Sequence, residues 1–271
     1  MIDLYRAAAG TCLLLLSTPC DRASAEIVTA TPSQDATLIE IQPDRNNGGE
    51  QWVNAGTTQN GTRNRGLFQW DLTSLIPVGA TILSASVTFE VIKVPGCGMA
   101  SSSFSLYRMF SSWGEGNKVA IDNQGGQGAP ATAGEVTWNA RFFGSTPWAA
   151  PGGLAGVDFS ASPSASQYIY DVGRSPYVFS SGSELVNDVQ SWVNDPKSNF
   201  GWMLASDDEG TPFTARRFAS REDPFGRAPI LTVDYELVPE PGSLQLWGVG
   251  VLGFVCIWRR ARTRHGHNSE V

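Results

Sequence analysis

An alternation of apolar and polar residues between Thr81 and Lys93 constrains the fold of this chain more than any other feature. The segment reads TILSASVTFEVIK, and every second residue over most of its length is apolar. Because successive side chains of a strand point to opposite faces, this pattern predicts a β-strand with one buried and one hydrated face. The side chains expected on the buried face are Leu83, Ala85, Val87, Phe89 and Val91.

Shorter segments of the same kind recur along the chain. The further predicted strands cover residues 37–41, 51–54, 67–72, 104–110, 201–205, 214–220 and 230–235. Clusters of Gly, Pro, Asn and Asp lie between them, at 43–49 and 207–210 for example, and these residues are typical of turns. Many strands with little helix predict an all-β fold, an antiparallel β-sandwich or jelly roll.

Two segments depart from the strand pattern. Leu185, Val189, Trp192 and Val193 recur at helical spacing, which predicts one short helix across an opening of the sandwich. Ser183 is expected to cap its start and residues 194–196 to end it. The segment 114–163 is rich in Gly, Ala, Ser and Pro, and it predicts a long irregular excursion of the kind that often carries a binding loop.

The first 25 residues have the features of a secretory signal peptide. Arg6 precedes an apolar run at 7–16, Pro19 follows it, and the small residues at 23–25 form a cleavage signature. The apolar run is too short to span a bilayer as a stable helix. We therefore expect export, with residues 1–25 removed and residues 26–237 forming the exported domain.

The C-terminal segment 238–264 has three parts in a fixed order. A Pro-Glu-Pro motif comes first, then an apolar stretch predicted to form a single transmembrane helix at about 243–258, then a cluster of arginines. The motif consists of Pro239, Glu240 and Pro241, and the cluster of Arg259, Arg260, Arg262 and Arg264. Residues 265–271 would be a short cytoplasmic tail, and an ordinary membrane anchor is the simpler alternative.

This tripartite C-terminus resembles the PEP-CTERM sorting signal of bacterial exported proteins. The resemblance implies recognition by an exosortase, a membrane transpeptidase that would cut near the Pro-Glu-Pro motif. It also implies a Gram-negative bacterium that makes extracellular polysaccharide. The protein would first be anchored in the inner membrane through its C-terminal helix and later reach the cell surface or be secreted.

The composition of segment 26–237 excludes several classes of function. It holds 13 basic and 22 acidic residues, a net charge of −9, which disfavours nucleic acid as a partner. It contains no histidine, which removes Ser-His-Asp and Cys-His catalysis and the usual zinc sites. We therefore predict a protein that is not an enzyme, although a carboxylate pair of the glycosidase type remains an alternative.

Candidate ligand-binding residues combine aromatic rings, which stack on sugars, with arginines, which bind carboxylates. Three tryptophans in or beside the excursion are the hardest aromatic residues to assign to a strand core. For each of them a place in the core is the alternative, and for Arg63 and Arg65 a structural pair with a nearby acid. The candidates are Trp113, Trp138, Trp148, Arg141, Arg63 and Arg65.

Oxygen-bearing side chains around a Gly-Gly turn are candidate metal ligands. Calcium takes carboxylate, amide and backbone oxygens from loops, so a structural Ca²⁺ is the metal that these residue types suit. No cofactor is required, and a solvated acidic turn is the alternative. The candidates are Asp35, Asp44, Asn46, Asn47 and Glu50, with residues 207–209 as a second group.

Seven short segments also occur in the order found in one protein family. They cover residues 64–72, 76–85, 113–117, 136–139, 189–193, 199–202 and 228–233. Together they resemble the DNRLRE domain family over about residues 30–236. The resemblance implies a β jelly roll related to carbohydrate-binding modules, some of which attach to acidic polysaccharides such as alginate.

These features favour a non-catalytic, exported cell-surface or extracellular-matrix protein that binds polysaccharide and is processed by an exosortase. Its expected partners are extracellular polysaccharide, the exosortase and, before processing, the membrane. A purely structural matrix or adhesion protein without a glycan ligand is the first alternative. An enzyme that degrades polysaccharide is the second.

Overall fold

The computed structural model describes residues 25–120, 127–180 and 182–237. The predicted signal peptide up to residue 24, the sorting segment with its helix at 243–258 and the tail at 265–271 lie outside the described residues. Among the described residues, no helix has both the length and the apolar character needed to cross a membrane.

The described residues form mostly β-strands. The strands are β1 (Ala25–Ala30), β2 (Gln34–Ile39), β3 (Arg45–Asn46), β4 (Trp52–Thr57), β5 (Arg63–Gln69), β6 (Thr81–Phe89), β7 (Val91–Lys93), β8 (Ser102–Arg108), β9 (Ala129–Pro130), β10 (Ala140–Phe142), β11 (Thr146–Pro147), β12 (Ala165–Ile169), β13 (Tyr177–Phe179), β14 (Trp202–Ser206), β15 (Arg216–Ala219) and β16 (Ile230–Glu236). One α-helix, α1, covers Ser183–Asn194.

Two antiparallel sheets enclose the main core. The smaller sheet has the order β1-β16-β6-β13, and the larger runs β12-β8-β14-β5-β4-β15-β7, with β2 also paired to β5. Val87 and Phe89 of the smaller sheet share this core with Phe68 and Phe218 of the larger one, and all four are fully buried. The prediction of an all-β, antiparallel fold with one short helix is confirmed.

The alternation between Thr81 and Lys93 holds from Ala85 onward but fails at its start. Ile82 is buried and Leu83 is 44% exposed, so the expected inward position of Leu83 is wrong. The reason is a bulge in the pairing with β16, where Asp234 pairs with Ser84 and the next residue, Tyr235, pairs with Ile82. A bulge adds a residue to one strand and so reverses which residues face the core.

The helix α1 forms where the spacing predicts it and packs against β6. Its N-cap is Gly182, and no side chain caps its first turn, so the expected capping by Ser183 does not occur. Gln190 fixes the helix to the start of β6, since its Oε1 accepts from the backbone N–H of Ile82 and its Nε2 donates to the carbonyl of Ala80.

One acidic residue lies on the buried face of α1. Asp188 is 7% exposed, and its Oδ2 accepts hydrogen bonds from Trp202 Nε1 at 2.8 Å and from the Ser164 hydroxyl. Arg108 reaches its Oδ1 at 3.5 Å. Burial raises the pKa of Asp188 above its usual value, against the opposing effect of these three donors. The carboxylate thus joins the helix to two strands of the larger sheet and to the segment before β12.

Backbone geometry is restricted just before β14. Gly201 has a φ of +75°, a conformation that L side chains rarely adopt. A Cβ atom at this position would overlap with the carbonyl oxygen of Phe68 on β5. The glycine therefore allows β14 to enter the larger sheet at this close approach.

The excursion at 114–163 has few strands, as predicted, but it builds a second core. Its Val136 and Phe159 pack against Leu67 of β5 and Met203 of β14, together with the predicted tryptophans. In this way the excursion covers part of the larger sheet on the side away from the main core.

Candidate functional site

The three candidate tryptophans lie in the second core. Trp113, Trp138 and Trp148 are each 4% exposed. Trp113 Nε1 donates to the carbonyl of Phe200 at 3.1 Å, and Trp148 Nε1 donates to that of Thr137 at 3.0 Å. No ring face is left on which a sugar could stack, so the core alternative holds for all three.

The structure brings Arg63 and Arg65 to Trp138, with their guanidinium carbons 5.2 and 5.6 Å from its ring centroid. Both arginines are also paired with acids. Arg63 donates to both carboxylate oxygens of Glu40 and lowers the pKa of that group. Arg65 binds both oxygens of Glu209 at 2.7 Å. Arg63 and Arg65 therefore form structural ion pairs with nearby acids, which was the alternative to a role in ligand binding.

Arg141 stands apart from the other candidates. Its Nη1 donates to the carbonyl of Ser112 at 3.2 Å, and its guanidinium lies over the ring of Phe142. These contacts join the middle of the excursion to the segment just before its start, and they do not join Arg141 to the arginines around Trp138.

The candidate calcium ligands make hydrogen bonds within the protein. Their oxygens accept mainly from backbone N–H groups. Asp35 accepts from Arg221, Asn47 from Thr37, Asn46 from Gly48 and Glu50 from Ala120, and Asp44 accepts from the side-chain amide of Asn139. Across the described ranges, no group of three or more His, Cys, Asp or Glu residues is arranged to hold a metal ion. The contacts support a hydrogen-bonded turn, and the calcium prediction finds no support in them.

Three of the candidate acids, Asp35, Asp207 and Glu209, also contact other groups of the protein. Burial raises the pKa of Asp35 well above its usual value, although the backbone N–H of Arg221 opposes the effect. In the second candidate group, 207–209, Glu209 forms an ion pair with Arg65, and Asp207 accepts a hydrogen bond from the hydroxyl of Tyr107.

A row of polar side chains on the outer face of the larger sheet is the strongest candidate for a functional site. On β4, Val53 points into the main core with 1% exposure, so the adjacent Asn54 faces outward. The strand register pairs Asn54 with Arg217 of β15, and Arg217 with Lys93 of β7. One amide and two cations thus lie side by side across three strands.

Two recesses open on this row. They have volumes of about 400 and 540 Å³, and Lys93 and Arg217 line both of them. We call the two recesses together the sheet-face groove. The residues that define it are Glu50, Trp52, Asn54, Asn64, Lys93 and Arg217.

The groove contains polar atoms without protein partners. Asn54 is 8% exposed, yet its Nδ2 has no hydrogen-bond partner among the described residues, and neither does the buried Nε1 of Trp52. A buried donor without an acceptor costs about 1–3 kcal/mol, so such a group calls for an explanation. Each of these two atoms exposes less than 1 Å² to solvent, so a ligand in the groove reaches them only if the side chains move.

One cation of the groove lies against an aromatic ring. The guanidinium carbon of Arg217 lies 4.1 Å from the ring centroid of Trp52. Burial lowers the pKa of Arg217, and the nearby Glu50 carboxylate opposes this shift. Arg217 is still a cation at neutral pH, because the pKa of an arginine lies far above neutrality. Glu50 itself accepts from the backbone N–H groups of Gln51 and Ala120. Lys93 and Arg217 thus bring two positive charges and Glu50 one negative charge to the lining, and Arg216 also lines one recess.

Sequence reasoning missed this row. One sequence pattern did indicate an outward-facing pair here, since Trp52 and Asn54 alternate with the apolar Val53 and Ala55 at a predicted strand. What was absent was the strand register, which alone brings Lys93 and Arg217 beside Asn54.

The chain matches no protein-family model, and no curated protein is similar to it in sequence.

Proposed function

We propose that this is an exported, non-catalytic protein of the cell surface or extracellular matrix that binds polysaccharide in the sheet-face groove. The single observation that supports this most is the row of Asn54, Arg217 and Lys93, in which two cations lie side by side on adjacent strands that line both recesses. Amide and guanidinium donors are the groups that fix the hydroxyls and carboxylates of sugars.

The polysaccharide is expected to carry carboxylate groups. Lys93 and Arg217 line both recesses, whereas only Glu50 brings a carboxylate to them. The local charge therefore opposes the net charge of −9 that segment 26–237 carries. We interpret the arrangement of the two sheets as that of a jelly roll, in keeping with the resemblance to the DNRLRE family.

Binding of the purified protein to a panel of neutral and uronate-containing polysaccharides tests this proposal. We expect the uronate polymers to bind best and the double variant Lys93→Met, Arg217→Met to lose most of the binding. Each charge-assisted hydrogen bond contributes about 1.5–3 kcal/mol, so each substitution should weaken the affinity about 10- to 100-fold. Affinity electrophoresis and calorimetry measure both effects.

Arg174→Met is the matched control. Its guanidinium carbon lies 4.0 Å from the ring centroid of Tyr170, which nearly repeats the geometry of Arg217 over Trp52 outside the groove. This variant should bind like the unaltered protein. Equal binding by the double variant would contradict the groove as the site, and no binding to any polymer would favour the structural matrix role instead.

We further propose that an exosortase processes the C-terminus near Pro239, Glu240 and Pro241. The support is the order of the Pro-Glu-Pro motif, the apolar stretch and the arginine cluster. Mass spectrometry of the protein recovered from the surface or medium of its producer should then find a C-terminus at or near the motif. Recovery of a mature protein that still contains the arginines at 259–264 would refute this processing.

A further inference from the structure

The dipeptide Asn-Gly occurs twice in the chain, as Asn47-Gly48 and as Asn60-Gly61. In this dipeptide the backbone nitrogen of the glycine can attack the side-chain amide of the asparagine, because glycine has no side chain that hinders the approach. The reaction also needs water and a backbone that is free to bend. The surroundings of each pair therefore decide whether it reacts.

Asn60 and Gly61 lie at the tip of the hairpin between β4 and β5, and both are exposed. The N–H of Gly61 donates to the carbonyl of Thr58 at 3.1 Å, and the N–H of Asn60 donates to the Thr58 hydroxyl at 3.3 Å. Both hydrogen bonds lie at a loop tip, where local opening costs little free energy. Nitrogen and amide can thus meet at this turn without disturbing either sheet.

Asn47 and Gly48 are both buried, and Asn47 is only 2% exposed. The Oδ1 of Asn47 accepts from the backbone N–H of Thr37 at 2.9 Å, and the N–H of Gly48 donates to Oδ1 of Asn46 at 2.9 Å. A Cβ atom on Gly48 would overlap with the carbonyl oxygen of Glu115, so the backbone is enclosed here. Two buried hydrogen bonds must break before this pair can react.

We propose that Asn60 is a site of spontaneous deamidation and that the fold protects Asn47. The nitrogen of Gly61 loses its proton and forms a bond to Cγ of Asn60, while the bond from Cγ to the amide nitrogen breaks and this nitrogen leaves as ammonia. Water then adds to either carbonyl of the resulting cyclic imide and breaks one of its two ring C–N bonds. The products are aspartate and isoaspartate at position 60, and neither step involves oxidation or reduction.

Incubation of the folded protein under mildly alkaline conditions, followed by peptide mass spectrometry, tests this reaction without any ligand. We expect the peptide that contains Asn60 to gain the mass difference between an amide and an acid, and to separate into two isomers. The peptide that contains Asn47 should react at least about 30-fold more slowly, because each buried hydrogen bond adds to the cost of opening.

The urea-denatured protein is the control, since both pairs are then free to bend and should react at similar rates. Equal rates at Asn47 and Asn60 in the folded protein would overturn the proposal. It would also be overturned if Asn60 stayed intact in the folded protein over the time in which it reacts fully in urea.

The reaction has a consequence for the sheet-face groove that rests on the proposed function. Asn60 lines the recess of about 400 Å³ together with Lys93 and Arg217, so deamidation adds a negative charge to this lining. Asn60→Asp carries the same charge and should weaken the binding of polygalacturonate about 2- to 5-fold at low salt, as expected for exposed charges. Asn60→Ser adds no charge, and it should bind like the unaltered protein.

The two parts fail in different ways. If the unaltered protein binds no uronate polymer, the proposed function and the effect on the groove are both refuted, whereas the mass spectra still decide the reaction at Asn60. If the unaltered protein binds and Asn60→Asp binds equally well, only the effect on the groove is refuted.

Discussion

Replacing Asp188 with alanine is expected to lower the free energy of unfolding by about 2–6 kcal/mol, because two buried donors would lose their acceptor at about 1–3 kcal/mol each. Those donors are Trp202 Nε1 and the Ser164 hydroxyl. Arg108 would lose its partner as well. Urea denaturation followed by tryptophan fluorescence and by circular dichroism measures the change, provided that the two transitions coincide.

Asp188→Asn separates the charge of this side chain from its shape. The amide keeps one oxygen acceptor, so we expect roughly half of the alanine effect. Burial raises the pKa of Asp188, which means that the folded protein binds a proton there more readily than the unfolded chain. The contribution of Asp188 to stability therefore falls as the pH rises from its usual pKa through the raised one.

The stability difference between the unaltered protein and Asp188→Asn should narrow over the same pH interval as the pH rises. A difference that widens with pH would show that the donors outweigh burial and that the pKa is lowered. An alanine variant as stable as the unaltered protein would contradict the role of Asp188 altogether.

Replacing Gly201 with alanine is expected to destabilise the fold by a similar amount, about 2–5 kcal/mol. Two effects add up at this position. An L residue at a φ of +75° costs about 1–2 kcal/mol, and relieving the overlap between the new Cβ and the Phe68 carbonyl costs about 1–3 kcal/mol more. Urea denaturation gives the total.

Gly61→Ala isolates the first of these effects. Gly61 has a φ of +76°, nearly that of Gly201, but no atom lies within 4 Å of the position of its Cβ. Its alanine variant should lose only about 1–2 kcal/mol. Equal losses for the two variants would mean that the close approach of Gly201 to β5 has no energetic effect.

Many strands of the two main sheets could be predicted from local patterns, because alternation is a property of a single segment, but β1, β12 and β13 were not predicted. The helical spacing from Leu185 to Val193 gave the right element and the right buried face. The alternation from Ala85 to Val91 gave the right buried face, but the single predicted strand is two strands, β6 in the smaller sheet and β7 in the larger one. Leu83 shows the limit, since the bulge that turns it outward depends on how β16 pairs with β6.

Asp188 could also have been recognised from the sequence. It lies three residues after Leu185 and four before Trp192, which places it on the apolar face of the helix. A carboxylate on such a face predicts buried donors around it. Which donors these are depends on the packing of α1 against β8 and β14, and no local pattern contains that information.

The candidate site was harder to predict for the same reason. A tryptophan in a Gly-rich excursion suits a ligand or a core equally well, and only the packing of the excursion on the larger sheet buries Trp113, Trp138 and Trp148. Conversely, Lys93 and Arg217 have no distinguishing local pattern. They become a site through their alignment with Asn54 across β4, β15 and β7.

The pairing of β1 with β16 determines how the described domain can be connected to other chains. Ala25 pairs with Glu236, so the first strand starts beside the point where the last one ends. A short linker could join these two positions without crossing the fold, because domains with adjacent ends accept circular permutation and insertion. In such a permuted protein, new termini could be placed at the exposed turn around Gly61. With its own termini, the domain could instead be inserted into a loop of a carrier protein.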